Sequence, residues 1–354
     1  MAIDNFKNDT RNQHFVSQAE QRLNSCSVDP YSKKAEIHRF DVVDKKRQQI
    51  RSNGKSLIRK NLAFQDLFTF ARVGDSERIN FERLFNKYEG GYPAQVAGLL
   101  DWITVARTRV DVTSESIDLQ KIKGCDFAIF LKHVKYIYTY KLMNWLRNPY
   151  KIKEVLKNFD SYVDHCIDKP GAFALYVALT EKNNAEEKYI CDSYGVSPKE
   201  YKEWIRLLLL FLYAEGDEST SLDGFVDEFF LAKEFSTSIL AFVFDKKCAL
   251  LSDTGVIKEP LKTGPAIYMN ITKNCIILLQ HAFVDGKYLD ELMAKLSLPE
   301  SERERLMEIL STNVYGRLSI NDEAMLAGYN KICVREAALQ VFCASPDVYG
   351  VEVI

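Results

Sequence analysis

Apolar residues recur at helical spacing through most of the first 235 positions. Ile79, Leu84, Phe85 and Tyr88 predict a helix that Gly90-Gly91 stops, and Val96, Leu99, Leu100 and Ile103 predict a second beginning near Pro93. Over about 127–146 the buried side of a long helix is marked by Phe130, Leu131, Val134, Ile137 and Tyr138. Pro149 ends it, because the residue before a proline disfavours the helical region. A further helix is expected over about 150–166, and Lys169-Pro170-Gly171 reads as a turn. The clearest helix start is Ser197-Pro198-Lys199-Glu200. Ser197 can cap a free N–H, Pro198 suits the first helical position, and Glu200 can reach back to close a capping box. Past Ile205 that helix is apolar on nearly every side, which places it centrally in the core, and another helix is expected over 223–235.

Strand-like patterns are fewer. Residues 35–44 read as a short strand, and 61–72 form an apolar stretch of undecided type. The runs 238–245 and 248–252 flank a turn at 245–247, and 266–271 and 275–280 flank a turn at 272–274. Two such hairpins would form a small antiparallel sheet near 238–280. Helices return at 288–296, 300–310 and 321–342. The expected class is therefore α+β, predominantly helical, as one compact domain over 1–354 that could subdivide into a mainly helical part, 1–235, and a sheet with C-terminal helices, 236–354.

Composition narrows the class without naming a reaction. The 354 residues are 47% hydrophobic, with 18 Tyr and 21 Phe, enough to bury a sizeable core. With 47 basic and 49 acidic side chains there is no overall attraction to nucleic acid or anionic membranes. One local basic run stands out, Lys45, Lys46, Arg47, Arg51, Lys55, Arg59 and Lys60, with a turn expected at Asn53-Gly54; such runs are usually solvated surface. The eight cysteines have wide, irregular gaps and read as free thiols of a reducing compartment. The polar N-terminal residues show no signal peptide, and the longest apolar run, 207–213, is far short of the roughly 20 residues of a membrane span. A cytoplasmic location without membrane partners is the default expectation.

Several polar residues could carry chemistry. His14 can serve as base or ligand near neutral pH, with Asn12 and Gln13 beside it to orient it. A histidine that merely ties down the N-terminal segment is the plainer alternative. Glu82 and Glu89 lie seven apart, on one helix face, and paired carboxylates can bind Mg²⁺ or activate water. Acidic residues at that spacing are also common on solvated helices. Asp253 could transfer a proton or hold a metal, but it equally suits a turn in which its carboxylate accepts backbone N–H groups. Arg147 could bind phosphate or the terminal carbonyls of its own helix. There is no Walker loop, G-x-G-x-x-G, H-E-x-x-H or G-x-S-x-G pattern.

The order of short motifs resembles the bacterial family called domain of unknown function 4238. The resemblance is carried by Asn12-Gln13-His14-Phe15-Val16-Ser17, by Arg39-Phe40-Asp41, by the helix from Phe81 to Glu89 and by Leu146-Arg147-Asn148-Pro149. It continues through Leu251-Ser252-Asp253-Thr254-Gly255, the strand pair 267–279 and the closing helix that follows Asn321. Ser17 stands where the family has proline, and Thr254-Gly255 where it has Asn-Pro. Some members neighbour genes that protect bacteria from phage, so the resemblance implies an antiphage effector and specifies no mechanism. The leading expectation is a metal-dependent nuclease using Mg²⁺ or Mn²⁺, with His14, Glu82 and Asp253 catalytic and Asn12, Gln13, Arg147 and Asn321 binding substrate. The rival expectation is a non-catalytic sensor that binds a phage or host component.

Overall fold

The computed structural model describes residues 12–65, 69–71, 78–110, 117–162, 165–180, 185–216, 218–231, 235–261, 264–284, 286–312 and 314–354. The apolar stretch 61–72, of ambiguous type in sequence, contains a short strand at Ala63–Gln65 and another at Thr69–Ala71; residues 66–68 and 72 lie outside the described set.

Strand β1 (Asn12–His14) leads into helix α1 (Gln18–Leu23), whose N-cap is Ser17. Helices α2 (Glu82–Glu89) and α3 (Tyr92–Thr108) meet at Gly90-Gly91. A side chain at Gly91 would meet the Tyr136 hydroxyl, so any larger residue there would have to displace that ring. Helix α4 (Phe127–Leu146) begins where Asp126 accepts the Ala128 N–H at 2.8 Å. From Tyr138 to Pro149 every residue is buried, so the C-terminal half of α4 runs through the interior rather than along its surface. The capping box at Ser197 forms as the residues suggest, opening the helix Pro198–Leu212, whose Trp204 donates to the Leu146 carbonyl at 2.7 Å.

Two mixed sheets complete the α+β fold. The six-stranded sheet has the order Val256–Leu261, Gly264–Thr272, Cys275–Phe283, Phe235–Val243, Val314–Ile320, Ile117–Asp118. All its pairs are antiparallel except Phe235–Val243 with Val314–Ile320. Its residues alternate between two cores: Ile277 and Leu279 face the helical layer, Ile276 and Leu278 the second sheet. Burial on both faces is why these strands read as continuous apolar runs. The five-stranded sheet has the order Glu352–Val353, β3 (Gln49–Leu57), β2 (Glu36–Asp44), Gln340–Cys343, Leu251–Ser252.

Several expected elements differ. The hairpin at 266–280 forms, but 238–245 and 248–252 do not pair: Leu251–Ser252 joins the other sheet, against Gln340–Cys343. The expected helix 321–342 ends at Glu336, and its last residues become that strand. The segment 150–166 is broken into a 3₁₀ turn at Pro149–Lys151, a helix Ile152–Asn158 and a second turn at Asp160–Tyr162. Pro170 opens a helix, Pro170–Thr180, where a turn was expected, because proline is tolerated in the first helical turn. Asn53-Gly54 is no reversal either. The chain turns at Lys45–Gln48, and Asn53 and Gly54 stand opposite the single residue Arg39, between the pairs His38↔Lys55 and Phe40↔Ser52. This is a β-bulge, made possible by Gly54 at φ +70°. All eight cysteines are free. No helix among the described residues is long and apolar enough to cross a membrane.

Candidate functional site

The C-terminal half of α4 carries an unusual load of polar side chains into the interior: Tyr140, Lys141, Asn144, Arg147 and Asn148 are all fully buried or nearly so. Buried polar groups need partners, and for Tyr140, Lys141, Asn144 and Arg147 the polar partners come from two N-terminal elements, α1 with its approach and α2. Lys141 and Glu20 form an ion pair in which neither side chain reaches solvent, and Asn144 Nδ2 donates to the second Glu20 oxygen at 2.9 Å. Burial lowers the Lys141 ammonium and Glu20 opposes the shift. Tyr140 hydrogen-bonds Ser17 and stacks on Tyr92 with ring centroids 3.7 Å apart. Ser17 thus caps α1 through its Oγ, which accepts the Glu20 N–H at 3.3 Å, and reaches α4 as well. A proline there could do neither.

One turn further along α4, Arg147 donates through Nη2 to Glu89 Oε1 at 2.5 Å, and its guanidinium lies 4.5 Å from the Phe85 ring centroid. Phe85 lies between Glu82 and Glu89 on α2, so the shared face presents both carboxylates to Arg147. The Glu82 carboxyl is pushed up to about 7, mainly by burial; Arg147 pulls it down and Glu89 pushes it up. His14 feels the same two charges, and burial together with Arg147 lowers its imidazole to about 4. A backbone hydrogen bond at Ile58 opposes that shift, and the buried Nε2 has no partner. Arg147 Nε is likewise buried without an acceptor. The result is a neutral imidazole, a carboxyl poised near neutrality and a clamped guanidinium, drawn from β1, α2 and α4.

The other expected residues lie elsewhere or behind this group. Gln13 is fully buried on β1, opposite Phe64 in register, and the Asn12 side chain is outside what the structure describes. Asp253 is linked to α4 because Asn148 Nδ2 donates to its carbonyl at 2.8 Å. Its carboxylate, however, accepts the N–H groups of Ala338, Leu339 and Gln340 at 2.7, 2.7 and 2.9 Å. Burial pushes this carboxyl up and the three donors pull it back. Both oxygens serve the backbone, which is the turn-like alternative of the sequence reading. Asn321 belongs to a different place. In the left-handed region at φ +57°, it accepts the Asp245 N–H at 2.9 Å and donates to Asp245 Oδ2 at 2.8 Å.

The donors do not by themselves fit Mg²⁺ or Mn²⁺. Asp253 is committed to amides and Glu89 to Arg147. Among the described residues no three His, Cys, Asp or Glu side chains are grouped to hold a metal ion.

Glu20, Tyr92, Tyr140, Lys141 and Asn144 were not singled out by the sequence reading. The available signal was slight: Lys141 and Asn144 fall among apolar residues near the end of a helix that also carries Lys132, His133 and Lys135. Comparison with family models, curated proteins and solved structures finds no match for this chain.

Proposed function

We propose that the protein hydrolyses phosphodiester bonds in nucleic acid by acid–base chemistry, as an antiphage effector of the family its motifs resemble. The observation that supports it most is the Glu82 carboxyl, held near pH 7 beside the Arg147–Glu89 pair. A base works best when its pKa lies near the working pH. Glu82 takes a proton from the attacking water as the new P–O bond forms. It returns that proton to the leaving oxygen as the old P–O bond breaks. Arg147, with a free Nε–H, faces the negative phosphoryl oxygens, and His14 offers the lone pair of its unpartnered nitrogen to orient the water. A flexible single strand suits a site this enclosed better than a rigid duplex, since His14 is only 8% exposed.

The test uses purified protein with labelled single- and double-stranded DNA and RNA, with Mg²⁺, with Mn²⁺ and with chelator. Cleavage is expected, and Glu82→Gln should lower its rate by about 10²–10⁴ while the thermal melt stays cooperative. Substrates left intact in every condition would remove the hydrolytic reading.

A second reading, a binding protein without catalysis, is supported by a groove of about 450 Å³ beside α3, α4 and the helix Ser221–Leu231. Its lining includes Leu131, Lys132, Lys135, Tyr136 and Val226. On that reading Lys132→Glu abolishes protection against phage and Glu82→Gln preserves it. On the hydrolytic reading Glu82→Gln abolishes it.

A further inference from the structure

A second cavity, about 270 Å³, lies on the far side of the N-terminal segment, where Phe15 faces it. Arg39 and Lys60 bring positive charge to its wall, Asn61, Tyr150 and Gln340 bring polar groups, and Asp253 lies at its back. Arg39 is the notable member. It has no ion-pair or hydrogen-bond partner among the described residues, and its Nε is buried. A guanidinium half withdrawn from water without an anion is costly. Arg39 is the single residue opposite the Asn53-Gly54 bulge. A bulge bends the strand that carries the extra residue, here the one facing Arg39, and is a common device beside binding sites.

The carboxylate at the back of the cavity does not supply the missing partner. Both Asp253 oxygens are spent on the amides of Ala338, Leu339 and Gln340. Tyr150 meets Phe15 edge-on, with centroids 5.7 Å apart, so aromatic surface lines the cavity beside its cationic groups. Arg59, next to Lys60 in the same short turn, and Arg51 and Lys55 on the preceding strand β3 are exposed and add further positive charge nearby in sequence.

We propose that this cavity binds a terminal phosphate monoester of a nucleotide, with Arg39 and Lys60 holding the phosphate and the Phe15–Tyr150 wall lying against the sugar or base. The planar guanidinium matches two phosphate oxygens at once, and Lys60 adds a point charge. The phosphate comes either from a free nucleotide or from the 5′ end of a strand. The site uses neither Glu82 nor His14, and it rests on the hydrolase reading only in the choice of a nucleotide as carrier.

Calorimetric titration separates the cases. Adenosine 5′-monophosphate, which has no phosphodiester bond to cleave, is titrated against adenosine. A 5′-phosphorylated DNA pentamer is titrated, with chelator in the Glu82→Gln protein, against the same pentamer with a 5′-hydroxyl. Binding of at least one phosphorylated probe and of neither control is expected, and the tighter of the two identifies the source. Arg39→Gln should weaken that binding by about ten- to hundredfold. Lys60→Ala, at an exposed position, should weaken it by a smaller factor and serves as the decisive variant if Arg39→Gln does not fold. The proposal is overturned if no phosphorylated probe binds, if the controls bind equally well, or if the variants bind like the wild type. Nucleotide binding without any cleavage would sink the hydrolytic reading alone, and cleavage without 5′-phosphate binding would sink this one alone.

Discussion

Arg147 and Glu89 are 58 positions apart in sequence and 2.5 Å apart between Nη2 and Oε1. The arginine side chain is 1% exposed and the glutamate 24%, so the pair lies where the interior opens toward solvent. Arg147 also packs over Phe85, and so is fixed in direction as well as in charge.

Removing Glu89 leaves a buried guanidinium with no counter-charge. Glu89→Gln is expected to cost about 3 kcal/mol in urea unfolding. It also removes the like charge that raises Glu82, so the acid limb of any pH–rate profile should move to lower pH. Arg147→Gln should move it the other way. An unchanged acid limb in both variants would show that Glu82 does not set it.

The stability of the fold should respond to pH through Glu82 and His14 in opposite senses. Glu82 keeps its proton up to about pH 7 when folded, against 4.5 when exposed, so the folded state binds more protons between those values and stability falls as pH rises through them. His14 is lowered from 6.5 to about 4, so the unfolded state binds more protons there and stability rises with pH across that window. His281, lowered likewise by burial, adds to the acid-side loss. Relative to wild type, Glu82→Gln should therefore gain on the order of 2 kcal/mol between pH 5 and pH 8. Urea melts at the two pH values check this, and a difference that stays flat contradicts it.

Asp253→Ala should behave as a structural change. It strips the acceptor from three part-buried amides and is expected to cost about 2–4 kcal/mol. Activity per folded molecule should stay near the wild-type value, measured below the melting transition. A loss of turnover without a loss of stability would return Asp253 to the catalytic group.

The Glu20–Lys141 pair offers a double-mutant test. Glu20→Gln or Lys141→Met alone breaks an ion pair with no access to water and should cost about 3–5 kcal/mol. The double variant should lose less than the sum, with a coupling of about 1–3 kcal/mol. Additive losses would mean that the two charges do not stabilise each other.

The local signals that proved legible share one cause: they depend on residues within a turn or two of each other. Helix α4 follows from apolar spacing with Pro149 as stop, and the Ser197–Glu200 box is closed by its own four residues. The common face of Glu82 and Glu89 follows from helical period alone. The strand Gln340–Cys343 was illegible for the opposite reason. Nothing in Ala337-Ala338-Leu339 forbids a helix, and the segment leaves it where Asp253, at least 85 positions away, accepts three successive amides. Likewise the pairing of Phe235–Val243 with Val314–Ile320 joins segments whose own patterns do not name a partner.

The same division holds for the site. The sequence by itself determined which side chains were chemically able: an imidazole, two carboxylates on one face, and an arginine at a helix end. Only the tertiary structure decided that Glu89 clamps Arg147, that Glu82 loses its water and rises toward neutrality, and that Asp253 is spent on the backbone. Proton affinity and hydrogen-bond partner are properties of surroundings, and those surroundings are assembled from segments that meet only when the chain is folded.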